Sequence, residues 1–454
     1  MGRDAATDSL AGDTASVVAS QAVVMVAGLA GSIITARVLG PSGRGVLSLV
    51  TLWVLLLAIA APLSCGYGLI YHLRNSSTDF PQALSTALGL SLGFGAMAVG
   101  VSLLGGHLLR HSLLRGVPFS YLLLVSLALP AAIFVGVSGL ALIGAGRVKQ
   151  VSTLTAVNSG LGLGLLCWFL WALRLGLLGA VIASAITSVL GAAIAIAWLW
   201  PHLRWRRLMR AGHWSSVVCF GLKTHGGAVA QLANYSLDRF LINLYLGPTA
   251  VGIYSIAGLL AERLWVLPGA VQTALYPRTG GEARDDGELT AAACRKALWL
   301  MAGACLAVAA AGPWLISALF GPGFSGAARP LLILLPGVLF FSAGKVMVPY
   351  IQNRGRPLMV TYVPLGSLAL TLSFNLLLIP RWGISGSAAA STLAYAAYGI
   401  ALTAVFVRLS KRRVVDLIRF PFSDLMAAKR LRLRLQARRR APISQAEPAP
   451  IRGK

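Results

Sequence analysis

Apolar runs of about 20 residues recur from one end of this chain to the other. A run of that length crosses a bilayer as a helix. In hydrocarbon every backbone N–H and C=O must pair inside the protein, which restricts spanning segments to helices or closed barrels. The length and continuity of these runs select helices. Only 11% of the 454 residues are charged, against about 25% in soluble domains, and the mean hydropathy is +0.77. The expected fold class is an all-α polytopic membrane protein.

Twelve spans are read, near 17–37, 45–66, 82–105, 119–144, 150–173, 177–200, 217–246, 250–275, 293–320, 329–351, 357–380 and 384–408. An even number puts both termini on one side. Fourteen Lys and Arg residues fall in the connectors on that side, against seven on the other, before a C-terminal tail that adds fourteen more. Basic connectors stay in the cytoplasm, so both termini are expected there. The net charge of +26 is therefore a topology signal and not a nucleic-acid footprint. The N-terminus has acidic residues and no cleavage pattern, so the first span is expected to stay in the membrane. Short external connectors leave no room for an extramembrane catalytic domain, and no enzyme is expected.

The chain repeats itself. LGPSGRGVLS at Leu39–Ser48 returns as LGPTAVGIYS at Leu246–Ser255, 207 residues later. The same offset aligns Arg174, Gly176, Gly179, Ala183 and Ser184 with Arg381, Gly383, Gly386, Ala390 and Ser391. Gly146-Arg147 matches Gly355-Arg356 at offset 209. Each match sits at the same place in the span order, so the chain is an internal duplication. Six spans per half is an even number, so the halves lie parallel around a pseudo-two-fold axis along the membrane normal. The expected layout is a cytoplasmic N-terminus (1–16), an N-lobe (17–200), a basic linker (201–216), a C-lobe (217–408) and a basic cytoplasmic tail (409–454), with a cavity between the lobes.

Six charges fall inside spans: Lys223, Asp238, Arg239, Glu262, Arg263 and Lys345. Each costs about 2.5–3.5 kcal/mol at a helix centre, so such residues face protein or water. Lys223, Gly227, Gln231, Asn234 and Asp238 share one face of span 7, and Ser255, Gly258, Glu262, Trp265 and Gly269 one face of span 8. Two polar stripes on consecutive helices predict a wet cavity between them. Position for position, the first half has Gly31, Ser32 and Leu55 where the second has Asp238, Arg239 and Glu262. The site is expected mainly on spans 7 and 8, with Arg37 and Arg44 near the external mouth of span 1. Lys223 and Lys345 also read as charges snorkelling to the interface, Arg37 and Arg44 as flanking charges, and Asp238 and Glu262 as members of structural ion pairs. Four basic and two acidic side chains leave the interior cationic, and Arg matches phosphate with two parallel hydrogen bonds.

Other motifs are weak. No G-x-x-x-x-G-K-[ST] loop occurs. The glycines of GLGLGLL at 160–166 suit helix packing. His107 and His111 lack a third ligand, and the five cysteines read as buried small apolar residues. Neither metal nor cofactor is expected. The basic tail suits anionic lipid head groups, a topology anchor or a cytoplasmic partner.

TARVLGPSGRGVLSLV in the first half, LDRFLINLYLGPTAVGIYSIA and LYPR in the second, LFGPGF after span 9 and the NRGRP connector together resemble the bacterial polysaccharide-biosynthesis flippases of the MOP superfamily, the Wzx type. The resemblance covers about residues 15–408. It implies two six-helix lobes around a V-shaped cavity and alternating access. The implied cargo is a polyprenyl-pyrophosphate-linked glycan, moved to the external leaflet beside other polysaccharide-export components. It also implies a cationic cavity for the pyrophosphate, for which Arg239, Arg263, Lys223 and Lys345 are the available positions, and ion coupling through Asp238 and Glu262. The rival readings are a multidrug or organic-cation antiporter, which needs an acidic cavity, and a peptidoglycan-precursor flippase, which needs two further spans. A membrane-embedded glycan polymerase or ligase needs a sizeable external loop.

Overall fold

Glycine followed by proline sets the corners of this molecule. Gly40 (φ 65, ψ −176) and Gly247 (φ 83, ψ 177) hold a backbone conformation that only glycine adopts without strain. Pro41 and Pro248 then open the next helix, where a missing N–H and a fixed φ cost nothing. The chain reverses within one residue at each corner.

The computed structural model describes residues 2–75, 79–203, 211–279 and 287–419, and no strand occurs among them. Helix α1 (Gly2–Ala60) holds span 1 and, beyond its break at Gly40, the first part of span 2, which α2 (Cys65–Asn75) completes. Span 3 is α3 (Phe80–Leu109). Span 4 is α4 (Phe119–Leu127) with α5 (Leu129–Gly144), bent by 43°. Span 5 is α6 (Val148–Cys167), ending in a π turn, and span 6 is α7 (Gly176–Leu199). Span 7 is α8 (Ala211–Leu246), and span 8 is α9 (Pro248–Arg263) with α10 (Val266–Thr279). Spans 9 and 10 are α11 (Glu288–Leu315) and α12 (Ala328–Asn353). Helix α13 (Pro357–Ser410) holds spans 11 and 12, folded at Gly383 (φ 59), and a short α14 (Val414–Ile418) follows. Residues 204–210 of the expected linker and 420–454 of the expected tail lie outside the described residues.

Among the described residues, eight helical stretches are long and apolar enough to cross a membrane, or nine with the bent α4–α5 pair. Two of the eight, Ala19–Asn75 and Leu358–Ser410, each contain a glycine fold that makes two spans of one stretch. Helix α8 falls outside that group despite its 36 residues. Its polar stripe lowers its hydropathy, which is the signature of a helix facing something other than lipid.

The duplication is written into the backbone. The aligned pairs Gly40/Gly247, Gly146/Gly355 and Gly176/Gly383 all have positive φ, at 65/83, 74/75 and 56/59. Spans 2 and 8 also both break, at 61–64 and 264–265. Pro62 and Pro268 explain the breaks, because each removes a helical N–H and clashes with the carbonyl four residues earlier.

The two lobes touch tightly on the face that carries the Gly-Pro corners. A Cβ on Gly45 would lie 1.7 Å from the Pro248 carbonyl oxygen, and one on Gly252 1.9 Å from that of Pro41. The starts of spans 2 and 8 therefore cross backbone to backbone. Gly323 packs on Pro41 and Gly116 on Pro248, the same contact seen from each lobe. Polar clamps flank the crossing. Arg37 Nε donates to the Leu319 carbonyl at 2.7 Å, and Asn243 Nδ2 to those of Leu113 and Arg115 at 2.9 and 3.0 Å. The opposite face differs. Residues 21–28 of α1 are mostly exposed, so the interior is less closely covered towards the face of the termini.

Candidate functional site

Two connected hollows lie between the lobes and share Arg44. The smaller, about 230 Å³, is lined by Arg44, Ser48 and Thr51 from span 2, Arg239 from α8, and Ser255 and Glu262 from α9. The larger, about 450 Å³, is lined by Gly28, Ser32 and Thr35 of span 1, Ser159 of α6, Ser184 and Thr187 of α7, Arg44, and Arg263 from across the lobe boundary.

Arg44 stands three residues beyond Pro41, in the first turn of its helix. It donates from Nη1 to Thr35 Oγ1 at 2.8 Å and from Nη2 to Ser32 Oγ at 3.0 Å, tying span 2 to span 1. Its Nε is buried and has no hydrogen-bond partner among the described residues. Arg239 pairs through Nη2 with Glu262 Oε1 at 2.7 Å, and its Nε is likewise buried and unpartnered. Arg263 closes the last turn of α9, where a cation complements the helix dipole. A Cβ on Gly28 would meet its Nη2 at 2.8 Å, so a glycine in span 1 makes the room for this guanidinium. Arg263 makes no hydrogen bond among the described residues. Three guanidiniums thus line the hollows against one carboxylate, already bound to Arg239. Buried N–H donors without partners in a cationic hollow suit an anion with several acceptor oxygens.

Asp238 is elsewhere. It is 4% exposed, sealed in the second lobe. Its Oδ2 accepts the Tyr254 hydroxyl at 2.7 Å and its Oδ1 the Arg239 backbone N–H at 2.8 Å. The Tyr254 oxygen lies 3.5 Å from Ser391 Oγ. Beside it run Ser387 to Asn375 Oδ1 at 2.7 Å, Thr371 to Asn234 Oδ1 at 3.3 Å, and Asn234 Nδ2 to the Pro364 carbonyl at 2.8 Å. Spans 7, 8, 11 and 12 all feed this buried polar cluster.

Of the residues singled out by sequence, Arg44, Arg239, Glu262 and Arg263 come together. Asn234 belongs to the sealed cluster, and Gln231 is hydrogen-bonded to the Tyr235 hydroxyl. Lys345 lies beside Gly269, and Lys223 is exposed; neither lines the two hollows. Arg37 is a lobe-to-lobe clamp, donating from Nε to the Leu319 carbonyl and from Nη2 to that of Ala318, and it does not line the two hollows. The expected weight on spans 7 and 8 also changes, because the larger hollow is walled mostly by residues of the first lobe, among which Ser32, Thr35, Thr51, Ser159, Ser184 and Thr187 supply its hydroxyls. In span 2 the signal was present in the spacing of Arg44, Ser48 and Thr51, which share one helix face and line the smaller hollow. Tyr254, the partner of Asp238, had none.

The Arg239–Glu262 pair gives a stability test. Side-chain exposures are 13% and 35%, so the pair is partly screened. Arg239→Ala should cost about 2 kcal/mol by leaving a half-buried carboxylate unmatched. Arg239→Ala with Glu262→Ala should recover most of that loss. Thermal melts in detergent read both values, and a double variant less stable than the single one would contradict the pairing.

Comparison with known proteins supplies context. A family model described as polysaccharide biosynthesis protein matches residues 34–328. No curated protein matches the chain. Among solved structures, a multidrug resistance MATE family transporter of the MOP superfamily in an inward-facing conformation superposes with a TM-score of 0.71 at 16% identity, covering 87% of this chain and 98% of its own. A MATE transporter in an outward-facing conformation gives 0.62 at 17% identity, covering 86% and 93%. The lipid II flippase MurJ, in an inward closed conformation, gives 0.71 at 14% identity, covering 92% of each chain. These likenesses establish a shared fold of two six-helix lobes.

Proposed function

Because the chain belongs to the polysaccharide biosynthesis protein family, we propose that it is an alternating-access flippase, not an enzyme. Its cargo is a polyprenyl-pyrophosphate-linked oligosaccharide, carried from the cytoplasmic to the external leaflet. The termini face the cytoplasm in this reading, as the basic connectors require. One observation carries the proposal. The hollow between the lobes is cationic, and two of its guanidiniums keep a buried N–H without a partner.

Arg263 and Arg44 bind the pyrophosphate from opposite lobes, so the cargo bridges the two moving bodies. The hydroxyls of Ser32, Thr35, Ser159, Ser184 and Thr187 suit the first sugars, whose own hydroxyls both donate and accept. A hollow of about 450 Å³ lies within the range for ligand sites, and the rest of the glycan occupies the less covered side towards the termini. Organic cations would be repelled by the same charges. Asp238 is the ion-coupling residue. Its carboxylate links α8 to α9 through Tyr254, so proton or sodium binding there alters the contact between the two helices that carry Arg239 and Arg263. Glu262 sets the position of Arg239 and takes a secondary part in coupling.

The test is translocation in proteoliposomes, with a fluorescent lipid-linked oligosaccharide, lipid II and a cationic dye as parallel cargoes. Ion-dependent movement of the oligosaccharide alone is expected. Movement of only lipid II or only the dye would overturn the reading. In the same assay Asp238→Asn should keep downhill movement of cargo while losing at least about tenfold of the response to an imposed gradient, the effect of one lost charge contact. An undiminished gradient response would remove Asp238 from the coupling role.

A further inference from the structure

A third hollow lies on the outer side of the last six spans. It measures about 490 Å³, is almost wholly apolar, and is walled by Leu298 of α11, Phe340 and Met347 of α12, and Ile400 and Thr403 of α13. Helix α14 lies across one end through Val414, Leu417 and Ile418. The hollow shares no residue with the two between the lobes, so it is not on the cargo's path.

Helix α14 is fixed there. Leu417 is 2% exposed. Trp299 Nε1 donates to the Ile418 carbonyl at 3.0 Å, and Arg295 Nη1 to that of Asp416 at 2.9 Å. Val415 and Ile418 are nonetheless 67% and 57% exposed, beside the exposed cations Lys411, Arg413 and Arg419. Exposed apolar residues flanked by cations describe a segment lying in the membrane interface. The nearby carboxylates are occupied, with Glu288 on Arg412 at 3.2 Å and Asp416 on the Arg413 backbone N–H at 3.1 Å. The rim is therefore cationic, and seven more Lys and Arg residues follow between 429 and 440.

We infer that this groove is a lipid site: one acyl chain of an anionic glycerophospholipid fills the hollow, and its head group rests on the basic rim of α14. A convex protein surface is merely wetted by bulk lipid. A concave apolar groove closed at one end by an interfacial helix holds a single chain, and the charge at that end selects the head group.

The experiment uses the full-length protein in phosphatidylcholine vesicles doped with phosphatidylglycerol or phosphatidylcholine carrying a diazirine on one acyl chain. Photolabelling of α11–α14 peptides should favour the phosphatidylglycerol probe by about tenfold or more, since each basic residue near the surface strengthens anionic lipid binding severalfold. Thr403→Trp fills the hollow and should lower that labelling about tenfold, the worth of burying a chain segment of two or so methylenes. Arg413→Glu with Arg419→Glu alters only exposed side chains. It should abolish the preference while leaving the phosphatidylcholine label in place, so it remains informative if Thr403→Trp does not fold. Equal labelling by the two probes in the unaltered protein would overturn the anionic assignment. Labelling of the groove unchanged by Thr403→Trp in folded protein would overturn the site.

Discussion

Replacing Arg263 with alanine is expected to lower oligosaccharide translocation about a hundredfold, the value of one lost bidentate contact between charged groups, while the protein stays folded. Arg263 makes no hydrogen bond among the described residues, so its removal leaves no partner stranded. The melting temperature should stay within the range of a neutral substitution, about 0.5 kcal/mol. Arg263→Lys should restore only part of the loss, because a point charge cannot present the planar fork that matches pyrophosphate. Adding Arg44→Ala should bring translocation below detection, with a modest stability loss from the freed Ser32 and Thr35 hydroxyls. Full translocation by a folded Arg44→Ala, Arg263→Ala variant would show that the cationic hollow does not hold the cargo. Arg239 is a less clean probe, since its alanine variant also unbalances Glu262.

Opening the Gly-Pro face should be equally severe, by a different route. At Gly45 and Gly252 an added methyl meets backbone oxygen at 1.7 and 1.9 Å. Backbone atoms in two packed helices cannot step aside as a flexible side chain does. Gly45→Ala or Gly252→Ala should therefore separate the starts of spans 2 and 8 while leaving each lobe's own core intact. Transport should fall to background. With the five native cysteines replaced, a cysteine at Thr51 should then react at least about tenfold faster with an impermeant maleimide added from that face, which corresponds to a shift of roughly 1.4 kcal/mol in the open–closed balance. Gly247→Ala is the matched control. Nothing lies within 4 Å of its added methyl, so only backbone strain of about 1–3 kcal/mol is expected, without opening. Unchanged labelling in Gly45→Ala would mean that the crossing of spans 2 and 8 does not close this face.

The repeated LGP blocks acquire a meaning here that spacing alone does not convey. Gly40 and Gly247 serve the corners, where each lobe needs a left-handed residue before proline. Gly45 and Gly252, five residues further on, serve the contact between lobes. A symmetric assembly uses one patch twice, and the two copies of the motif meet each other at the pseudo-two-fold axis. The repeat persists at Pro41–Gly323 and Pro248–Gly116, as a closing surface must if it is made of two equivalent halves.

The sequence by itself determined the class of fold, the span order, the duplication and the positions of the corners. Each depends on neighbours in the chain: twenty apolar residues make a span, Gly-Pro ends one helix and starts another, and a spacing of three or four puts polar groups on one face. It also identified the charges that pay for their place in the membrane. Only the tertiary structure decided which of them meet. Arg37 and Arg44 are seven residues apart in one connector region, yet Arg37 is spent on carbonyls at 318 and 319 while Arg44 enters the hollow with Arg263. Asp238 and Arg239 are adjacent, yet one is sealed against Tyr254 and the other opens to the cavity. These partners lie up to some 280 residues away along the chain. Helical periodicity fixes the direction of a side chain on its own helix, but its partner is set by how two whole lobes dock, and no local pattern carries that information.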